Sequence, residues 1–149
     1  MPVSYIPDGY HTVTPYLTVH GASTLLDFVK RAFDAQEVAV MKGPDGAVRH
    51  AEVRIGDSVV MMGEAPPGAA TMPAMLYVYV KEADAMYARA LKAGATSLHE
   101  PATQFYGDRH GAVTDATGNQ WWIATHVEDV SPEEMAKRQE AFAKQRAKG

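Results

Sequence analysis

The chain has 149 residues, of which 46% are hydrophobic and 21% are charged, and its formal net charge is -4. That length suits one ordinary domain with a sizeable core and excludes two large domains. The sequence has no cysteine, which excludes disulfides, thiolate zinc sites and cysteine nucleophiles.

Charge and hydropathy patterns narrow the expected partners. The basic residues form no stripe interleaved with aromatic residues, so we do not expect nucleic-acid binding. No apolar run approaches the ~20 residues that cross a bilayer, and the start MPVSYIPDGYH lacks the basic and apolar segments of an export signal. We therefore predict a cytoplasmic protein that binds a small molecule, and neither a membrane nor a nucleic acid.

The first half of the chain predicts the order β-α-β-β-β. Residue alternation indicates a strand at 15–19, and an apolar stripe indicates a helix at 22–32 with Ser23 in the N-cap position. Three further strands follow, at about 37–41, 49–55 and 58–62.

The second half predicts the same order again. A strand at 75–80 precedes a helix at 83–93, and a short strand is expected at 96–99. A hairpin follows, with strands at 112–114 and 120–124 joined by Asp115-Ala-Thr-Gly-Asn119. We predict one domain over 1–149, built from module one (about 11–63), a linker (64–73), module two (about 74–127) and a C-terminal helix (about 132–145).

Short sequence matches support this internal repeat. At an offset of 60 to 61 residues, Arg49-His50 recurs as Arg109-His110, and Val53 falls on Val113. The matches are few, but the order of predicted elements repeats with them, which favours a duplicated module.

Strand alternation assigns the two faces of each predicted sheet. In the strand at 75–80 every second residue is aliphatic and should meet a helix, while the residues between them face the other way. The helix-facing set is Leu17, Val19, Ala51, Val53, Ile55, Leu76, Val78 and Val80. The opposite set is Tyr16, His50, Glu52, Arg54, Met75, Tyr77 and Tyr79. A polar face rich in tyrosine and methionine is typical of a cleft lining.

Several segments together resemble a known superfamily. These are TPYLTV, HAEVRIGDSVVMM and the tail YGDRHGAVTDATGNQWWIATHVEDVSPEE, combined with the paired β-α-β-β-β order. They are similar to the vicinal oxygen chelate superfamily, also called the glyoxalase/bleomycin resistance/dioxygenase fold, and in particular to its PhnB-like branch. The resemblance covers about residues 5 to 138. It implies an α+β fold in which two βαβββ modules form a curved, mostly antiparallel eight-stranded sheet around a cleft, usually in a homodimer.

The superfamily's typical enzyme holds a divalent metal ion with four side chains. The resemblance places these positions at Thr14, Met61, Met75 and Trp122. None of them is a histidine or a carboxylate, and a thioether or an indole is not a useful ligand for such ions. We therefore expect no metal and no other cofactor, which makes the usual glyoxalase and dioxygenase chemistry doubtful here.

One candidate site involves His50, Glu52 and Arg54. His50 and Glu52 project from the same strand face, so Glu52 could orient His50 as a general base. The same pattern is also how a strand presents a solvated edge. Arg54 could bind a ligand carboxylate, or it could form a structural ion pair with Glu52.

A second candidate site involves a loop and a set of aromatic residues. Tyr106, Arg109 and His110 lie on a predicted loop that enters the cleft, although the repeated Arg-His pair could instead record module ancestry. The residues expected to stack on a planar ligand, unless they belong to the core, are Tyr16, Tyr77, Tyr79 and Trp122, with Met61 and Met75 beside them. We expect one cavity to be lined by all four aromatic residues. The remaining histidines are expected to be surface or hydrogen-bonded residues.

Two classes of function remain open from the sequence. The first is a metal-independent protein that binds a planar or aromatic molecule, of the antibiotic-sequestering kind. The second is a lyase or isomerase that uses His50 and Glu52 as acid and base, or an atypical metal site built from them with His110.

Overall fold

A computed structural model describes residues 2–148. It contains three helices and eight strands. In chain order these are β1 (Tyr16–Val19), α1 (Ala22–Phe33), β2 (Gln36–Lys42), β3 (Val48–Ile55), β4 (Ser58–Glu64), β5 (Met75–Tyr79), α2 (Ala83–Lys92), β6 (Thr96–Thr103), β7 (Asp108–Thr114), β8 (Gln120–His126) and α3 (Pro132–Lys148).

The eight strands form two four-stranded sheets with the same topology. The strand orders are β1-β4-β3-β2 and β5-β8-β7-β6. In each sheet the first strand runs parallel to the last strand of its module, and the other two pairings are antiparallel. The α+β class and the duplicated βαβββ order are therefore confirmed.

The helices α1 and α2 pack against each other, and each packs on one face of its own sheet. α1 covers β3 and β4, and α2 covers β6, β7 and β8. Trp121, on the helix-facing side of β8, is fully buried and reaches α1, with its ring centroid 5.0 Å from that of Phe33. One core cluster thus joins both modules. The face of each sheet that carries no helix points away from this core.

Strand alternation predicted the faces of the first sheet correctly. Leu17, Val19, Ala51 and Val53 are each 1% exposed or less. In the second sheet Leu76, Val78 and Val80 pack against the same core but are only partly buried. All three line an open cavity beside β5, which leaves them partly accessible.

Side chains distant in the sequence cap the first two helices. Ser23 is not the N-cap of α1, since that position is Gly21, and the Ser23 hydroxyl instead accepts a hydrogen bond from the Val48 amide at 3.0 Å. The Glu64 carboxylate accepts from the amides of Gly21 and Ala22 at 3.1 and 2.8 Å. In module two the Thr125 hydroxyl accepts from the amide of Ala83, the first residue of α2, at 2.9 Å. Glu64 and Thr125 correspond in the repeat.

The C-terminal helix α3 has no buried residue. Ser131 caps it, because its hydroxyl accepts a hydrogen bond from the Glu134 amide at 3.2 Å. Arg138 attaches α3 to the body through Glu128 and the Phe105 carbonyl. Within residues 2–148, no helix is both long and apolar enough to cross a membrane.

Candidate functional site

The predicted site residues fall into two groups, one on each open sheet face. The first-face group contains Tyr16, His50, Glu52, Arg54 and Met61. The second-face group contains Met75, Tyr77, Tyr79, Tyr106, His110 and Trp122. Among the residues that the structure describes, no side-chain hydrogen bond or aromatic contact joins the two groups. Of the four aromatic residues expected to line one cavity, Tyr77 and Tyr79 line the open cavity described below, and Tyr16 and Trp122 do not.

A buried carboxylate organises the second face. Asp108, at the start of β7, is only 5% exposed. Its Oδ2 accepts hydrogen bonds from the hydroxyls of Tyr77 and Tyr79, both at 2.9 Å, and His126 Nδ1 lies 2.9 Å from its Oδ1. The carboxylate is therefore satisfied by three side chains of its own face, which is the usual condition for a buried charge.

These contacts shift the ionisation of each partner. Burial by itself would raise the pKa of Asp108, but the hydrogen bonds from His126, Tyr77 and Tyr79 outweigh it and hold that pKa below its usual value. Burial and the Asp108 charge raise the pKa of Tyr77 far above the ordinary tyrosine value. The pKa of His126 is raised by its bonds to Asp108 and Asp129. At neutral pH Asp108 is an anion and Tyr77 is a neutral phenol.

His110 lies beside this carboxylate network. Its Nδ1 is 3.1 Å from the Tyr77 hydroxyl and 3.3 Å from the Tyr106 hydroxyl. The residue is 6% exposed, and burial lowers its pKa, assisted by the neighbouring His99. His110 is therefore a neutral imidazole at pH 7. Its Nε2 has no hydrogen-bond partner among the described residues. The atom is not fully buried, so solvent reaches it.

Trp122 and two imidazoles form the aromatic part of the second face. The indole packs edge-on to His110 with ring centroids 5.1 Å apart, and it lies 6.0 Å from the ring of His99. Its Nε1 donates to the Gln120 side chain at 3.1 Å, which fixes the ring's orientation. His99 Nδ1 is a buried atom without a partner among the residues described. An unpaired buried atom of this kind lowers the stability of the fold by about 1 to 3 kcal/mol unless a ligand or water bonds to it.

The first face carries a smaller network. His50 Nε2 lies 2.8 Å from Glu52 Oε2, and His50 Nδ1 lies 3.2 Å from the Tyr16 hydroxyl. The Tyr10 hydroxyl also donates to Glu52. The hydrogen bonds that Glu52 accepts from Tyr10 and His50 lower its pKa, and the bond from Tyr10 is the larger cause. Both imidazole nitrogens of His50 thus have partners, unlike those of His110.

A tyrosine-histidine pair occupies the same place in both modules. Tyr16 pairs with His50 on the first sheet, and Tyr77 pairs with His110 on the second. The offsets are 61 and 60 residues, so the pairs are repeat equivalents. The carboxylates differ, because Glu52 bonds the far nitrogen of its histidine, whereas Asp108 bonds the tyrosine.

Three predicted site residues have other surroundings than expected. Arg109 points to the helix side of its sheet and forms a bidentate pair with Asp84 of α2, at 2.7 and 2.9 Å, so it does not accompany His110. Arg54 makes no ion pair with Glu52 within the described residues and lies instead against Gly9. Met75 is 59% exposed at the start of β5.

Sequence reasoning missed Tyr10, His99, Asp108 and His126. Asp108 lies two residues before His110 and His126 lies four after Trp122, so alternation places them on the same face. Extending the predicted hairpin strands to Asp108 and His126 would have found both. No local signal identifies Tyr10, which precedes the first strand and reaches Glu52 only in the folded chain.

An open cavity of about 1150 Å³ lies along the edge strand β5, where the two modules meet. Tyr77 and Tyr79 line it together with Pro15, Ile55, Met86 and Trp121. The second face is therefore continuous with a partly apolar recess at the module boundary.

Comparison with known families and structures agrees with this architecture. Residues 10–123 match the model of the Glyoxalase/Bleomycin resistance protein/Dioxygenase superfamily. This chain belongs to that superfamily. An uncharacterized protein of Mycobacterium bovis is 35% identical over 134 residues, covering 83% of this chain and 88% of the relative. An uncharacterized protein of Mycobacterium tuberculosis has the same identity over 134 residues, which cover 83% of this chain and 79% of the relative.

Solved structures of the superfamily share the fold of this glyoxalase/bleomycin resistance-type chain. TioX from Micromonospora sp. ML1 superposes with a TM-score of 0.67 at 20% identity, covering 78% of this chain and 99% of TioX. A glyoxalase/bleomycin resistance protein/dioxygenase family enzyme from Burkholderia phytofirmans gives a TM-score of 0.62 at 16% identity, covering 76% and 97% of the two chains.

The metal ion typical of superfamily enzymes does not fit the residues at the implied positions. The Thr14 hydroxyl donates to the His11 carbonyl, and the Trp122 indole donates to Gln120. Met61 and Met75 supply only thioethers, which are poor ligands for hard or borderline divalent ions. Within residues 2–148, no cluster of three or more histidine, cysteine or acidic side chains is placed to hold a metal. These four positions therefore supply no ligand set suited to a divalent metal ion.

Proposed function

We propose that this protein is a metal-independent small-molecule binding protein whose second sheet face takes a planar or aromatic ligand. The supporting observation is the aromatic cluster of Trp122, His110 and Tyr77 around a fully satisfied carboxylate. Tyr77 is 38% exposed and Tyr79 is 62% exposed, so ring faces remain available for stacking. Hydrogen bonds already hold Asp108, Tyr77 and the Trp122 indole in position, which favours binding without reorganisation.

We also propose that a second copy of the chain covers this face. The open faces expose several large apolar side chains that a single chain leaves to water: Tyr16 at 52%, Met41 at 64%, Met75 at 59% and Tyr79 at 62%. Exposed apolar surface of this kind marks an interaction or ligand site. In such a homodimer the first face of one chain would close the cleft over the second face of its partner.

The proposal extends to the branch and to a biological role. We propose membership of the PhnB-like branch, because the motif YGDRHGAVTDATGNQWWIATHVEDVSPEE resembles that branch. A ligand-sequestering role, such as antibiotic resistance, would follow from stacking without bond changes. These assignments rest on resemblance together with the aromatic face.

The direct test is binding of a plain aromatic probe, 2-methoxynaphthalene, measured by calorimetry. Trp122→Ala should weaken binding by about 1 to 3 kcal/mol, the scale of a lost aromatic stack plus buried area. Tyr5→Ala is the control, since Tyr5 is 93% exposed and outside both faces. Equal affinities for the wild type and Trp122→Ala would contradict the proposal.

The second candidate function is a lyase or isomerase that uses the first face. The observation in its favour is the His50–Glu52 pair at 2.8 Å, which could orient the imidazole as a general base. We rank it second because His50 Nδ1 also pairs with Tyr16, so it can accept a substrate proton only by displacing that hydroxyl. The atypical metal site is weaker still, because His110 lies on the other sheet.

A further inference from the structure

The hydrogen bonds around Asp108 determine which nitrogen of His110 carries its proton. A tyrosine hydroxyl has one proton, and the Tyr77 hydroxyl must point it at Asp108, since two oxygens 2.9 Å apart without a proton between them would repel. The Tyr77 oxygen can then only accept from His110 Nδ1, 3.1 Å away, and the Tyr106 oxygen, 3.3 Å from the same nitrogen, is a second and longer acceptor. His110 is consequently protonated on Nδ1.

That tautomer leaves Nε2 of His110 as a hydrogen-bond acceptor. The atom is reached by solvent and has no partner among the described residues. It belongs to the ring that packs edge-on to Trp122, so an acceptor lies beside the surface on which a planar ligand would stack. Acceptor and stacking surface are thus offered together.

The charge around this acceptor is unfavourable for anionic ligands. Asp108 is an anion whose partners are two neutral tyrosines and His126. His126 also bonds Asp129, so the group stays net negative even when the imidazole is protonated. Arg109, the nearest arginine in sequence, is held on the opposite side of the sheet by Asp84. A ligand carboxylate would therefore lie beside an acceptor nitrogen and a negative charge, and both would repel it.

From this geometry we infer that the second face selects planar ligands with an O–H or N–H donor at the ring edge, such as phenols and N–H heteroaromatic compounds, through His110 Nε2. The inference rests on the proposed function, because it assumes that a planar molecule stacks on this face. It adds the chemical class of the ligand and the residue that recognises it.

The test compares three probes with one ring: 2-naphthol, 2-methoxynaphthalene and 2-naphthoate. At pH 7 the wild type should bind 2-naphthol roughly fivefold tighter than 2-methoxynaphthalene, the scale of one net hydrogen bond. It should bind 2-naphthoate most weakly. His110→Phe keeps an aromatic ring and should abolish the preference for 2-naphthol, whereas His20→Phe, a histidine distant from this face, should retain it.

Tyr77→Phe provides a second variant in case His110→Phe does not fold. It removes the oxygen that holds the Nδ1 proton, so the tautomer is no longer fixed and the preference for 2-naphthol should fall. Binding of 2-methoxynaphthalene should persist, which a merely unfolded variant would not allow.

Lowering the pH tests the same acceptor without a mutation. The titratable groups facing His110 are Tyr77 on β5, His99 on β6, Tyr106 in the preceding loop and Asp108 on its own strand. Trp122 on β8 is uncharged. Burial lowers the pKa of His110, so the imidazole should stay neutral until the pH is below about 6.5, the ordinary histidine value. Further acidification converts Nε2 into a donor, so 2-naphthol should lose affinity relative to 2-naphthoate.

The outcomes separate this inference from the proposed function. Equal binding of 2-naphthol and 2-methoxynaphthalene, both weakened by Trp122→Ala, would overturn the donor preference and leave the aromatic site standing. Tighter binding of 2-naphthoate at pH 7 would also overturn it. Failure of all three probes to bind would overturn the proposed function and the inference together.

Discussion

Two adjacent tryptophans illustrate how position within a strand decides a residue's role. Trp121 is fully buried against Phe28 and Phe33, and its Nε1 donates to the buried Asp115 carboxylate at 2.7 Å. Trp122 points to the open face and bonds only Gln120. Since side chains alternate along a strand, one indole stabilises the core while its neighbour remains available to a ligand.

We therefore expect Trp121→Ala and Trp122→Ala to differ strongly in stability. Trp121→Ala removes a large core side chain and leaves a cavity, so the free energy of unfolding should fall by about 3 to 5 kcal/mol. Trp122→Ala should lower it by only roughly 1 kcal/mol. Urea unfolding followed by circular dichroism measures both, and a larger loss for Trp122→Ala would show that it, not Trp121, is the core indole.

At the scale of elements, each module caps its helix with a side chain from its last strand. Glu64 at the end of β4 serves α1, and Thr125 near the end of β8 serves α2. Thr125 also donates to the Val80 carbonyl, which joins β8 to the segment before α2. The caps therefore couple helix formation to sheet formation, since neither is in place until the strand has paired.

Glu64→Ala should lower the free energy of unfolding by about 1 to 2 kcal/mol, the usual range for a lost helix cap. The change leaves two amides of the α1 N-terminus without their carboxylate and removes a favourable negative charge there. Glu82→Ala is the matched control, because Glu82 occupies the N-cap position of α2 but makes no capping bond. Equal effects of the two substitutions would argue against the Glu64 cap.

At the scale of the whole molecule, the contact between α1 and α2 and the shared core join the two modules. Arg89 of α2 strengthens this arrangement through a bidentate pair with Asp34, at 2.7 Å for both bonds. That pair is exposed and contributes little, while the shared core around Trp121 contributes most. In the homodimer that we propose, the first face of one chain meets the second face of its partner.

The homodimer prediction can be tested by mixing two variants. Light scattering should give twice the chain mass of 16.2 kDa.

Tyr16→Ala alters the first face and Trp122→Ala the second, so each homodimer should bind 2-methoxynaphthalene weakly. After subunit exchange, a mixed dimer regains one cleft with both residues intact, and up to half of its sites should bind normally. A monomeric mass, or no recovery in the mixture after exchange, would contradict a cleft shared between chains.

Local patterns in the sequence were sufficient for the elements and their faces. The period of two in β1, β3 and β5 separated Leu17 and Val19 from Tyr16, and it placed His50 and Glu52 on one side, because the direction of a side chain along a strand depends only on backbone geometry. The duplicated order of elements followed from the same patterns. The residues of the aromatic face, Tyr77, Tyr79 and Trp122, were identified in this way.

Only the tertiary structure decided which faces meet and which distant groups pair. Residue alternation does not say where one sheet lies relative to another, so it could not show that Tyr77 and Tyr79, but not Tyr16 or Trp122, line the cavity at the module boundary. The bonds of Tyr10 to Glu52 and of Glu64 to the α1 amides join residues more than 40 positions apart. The network around Asp108 likewise combines β5, β7 and β8. Such contacts depend on how the modules pack, and that packing is set by the shared core rather than by any local run of residues.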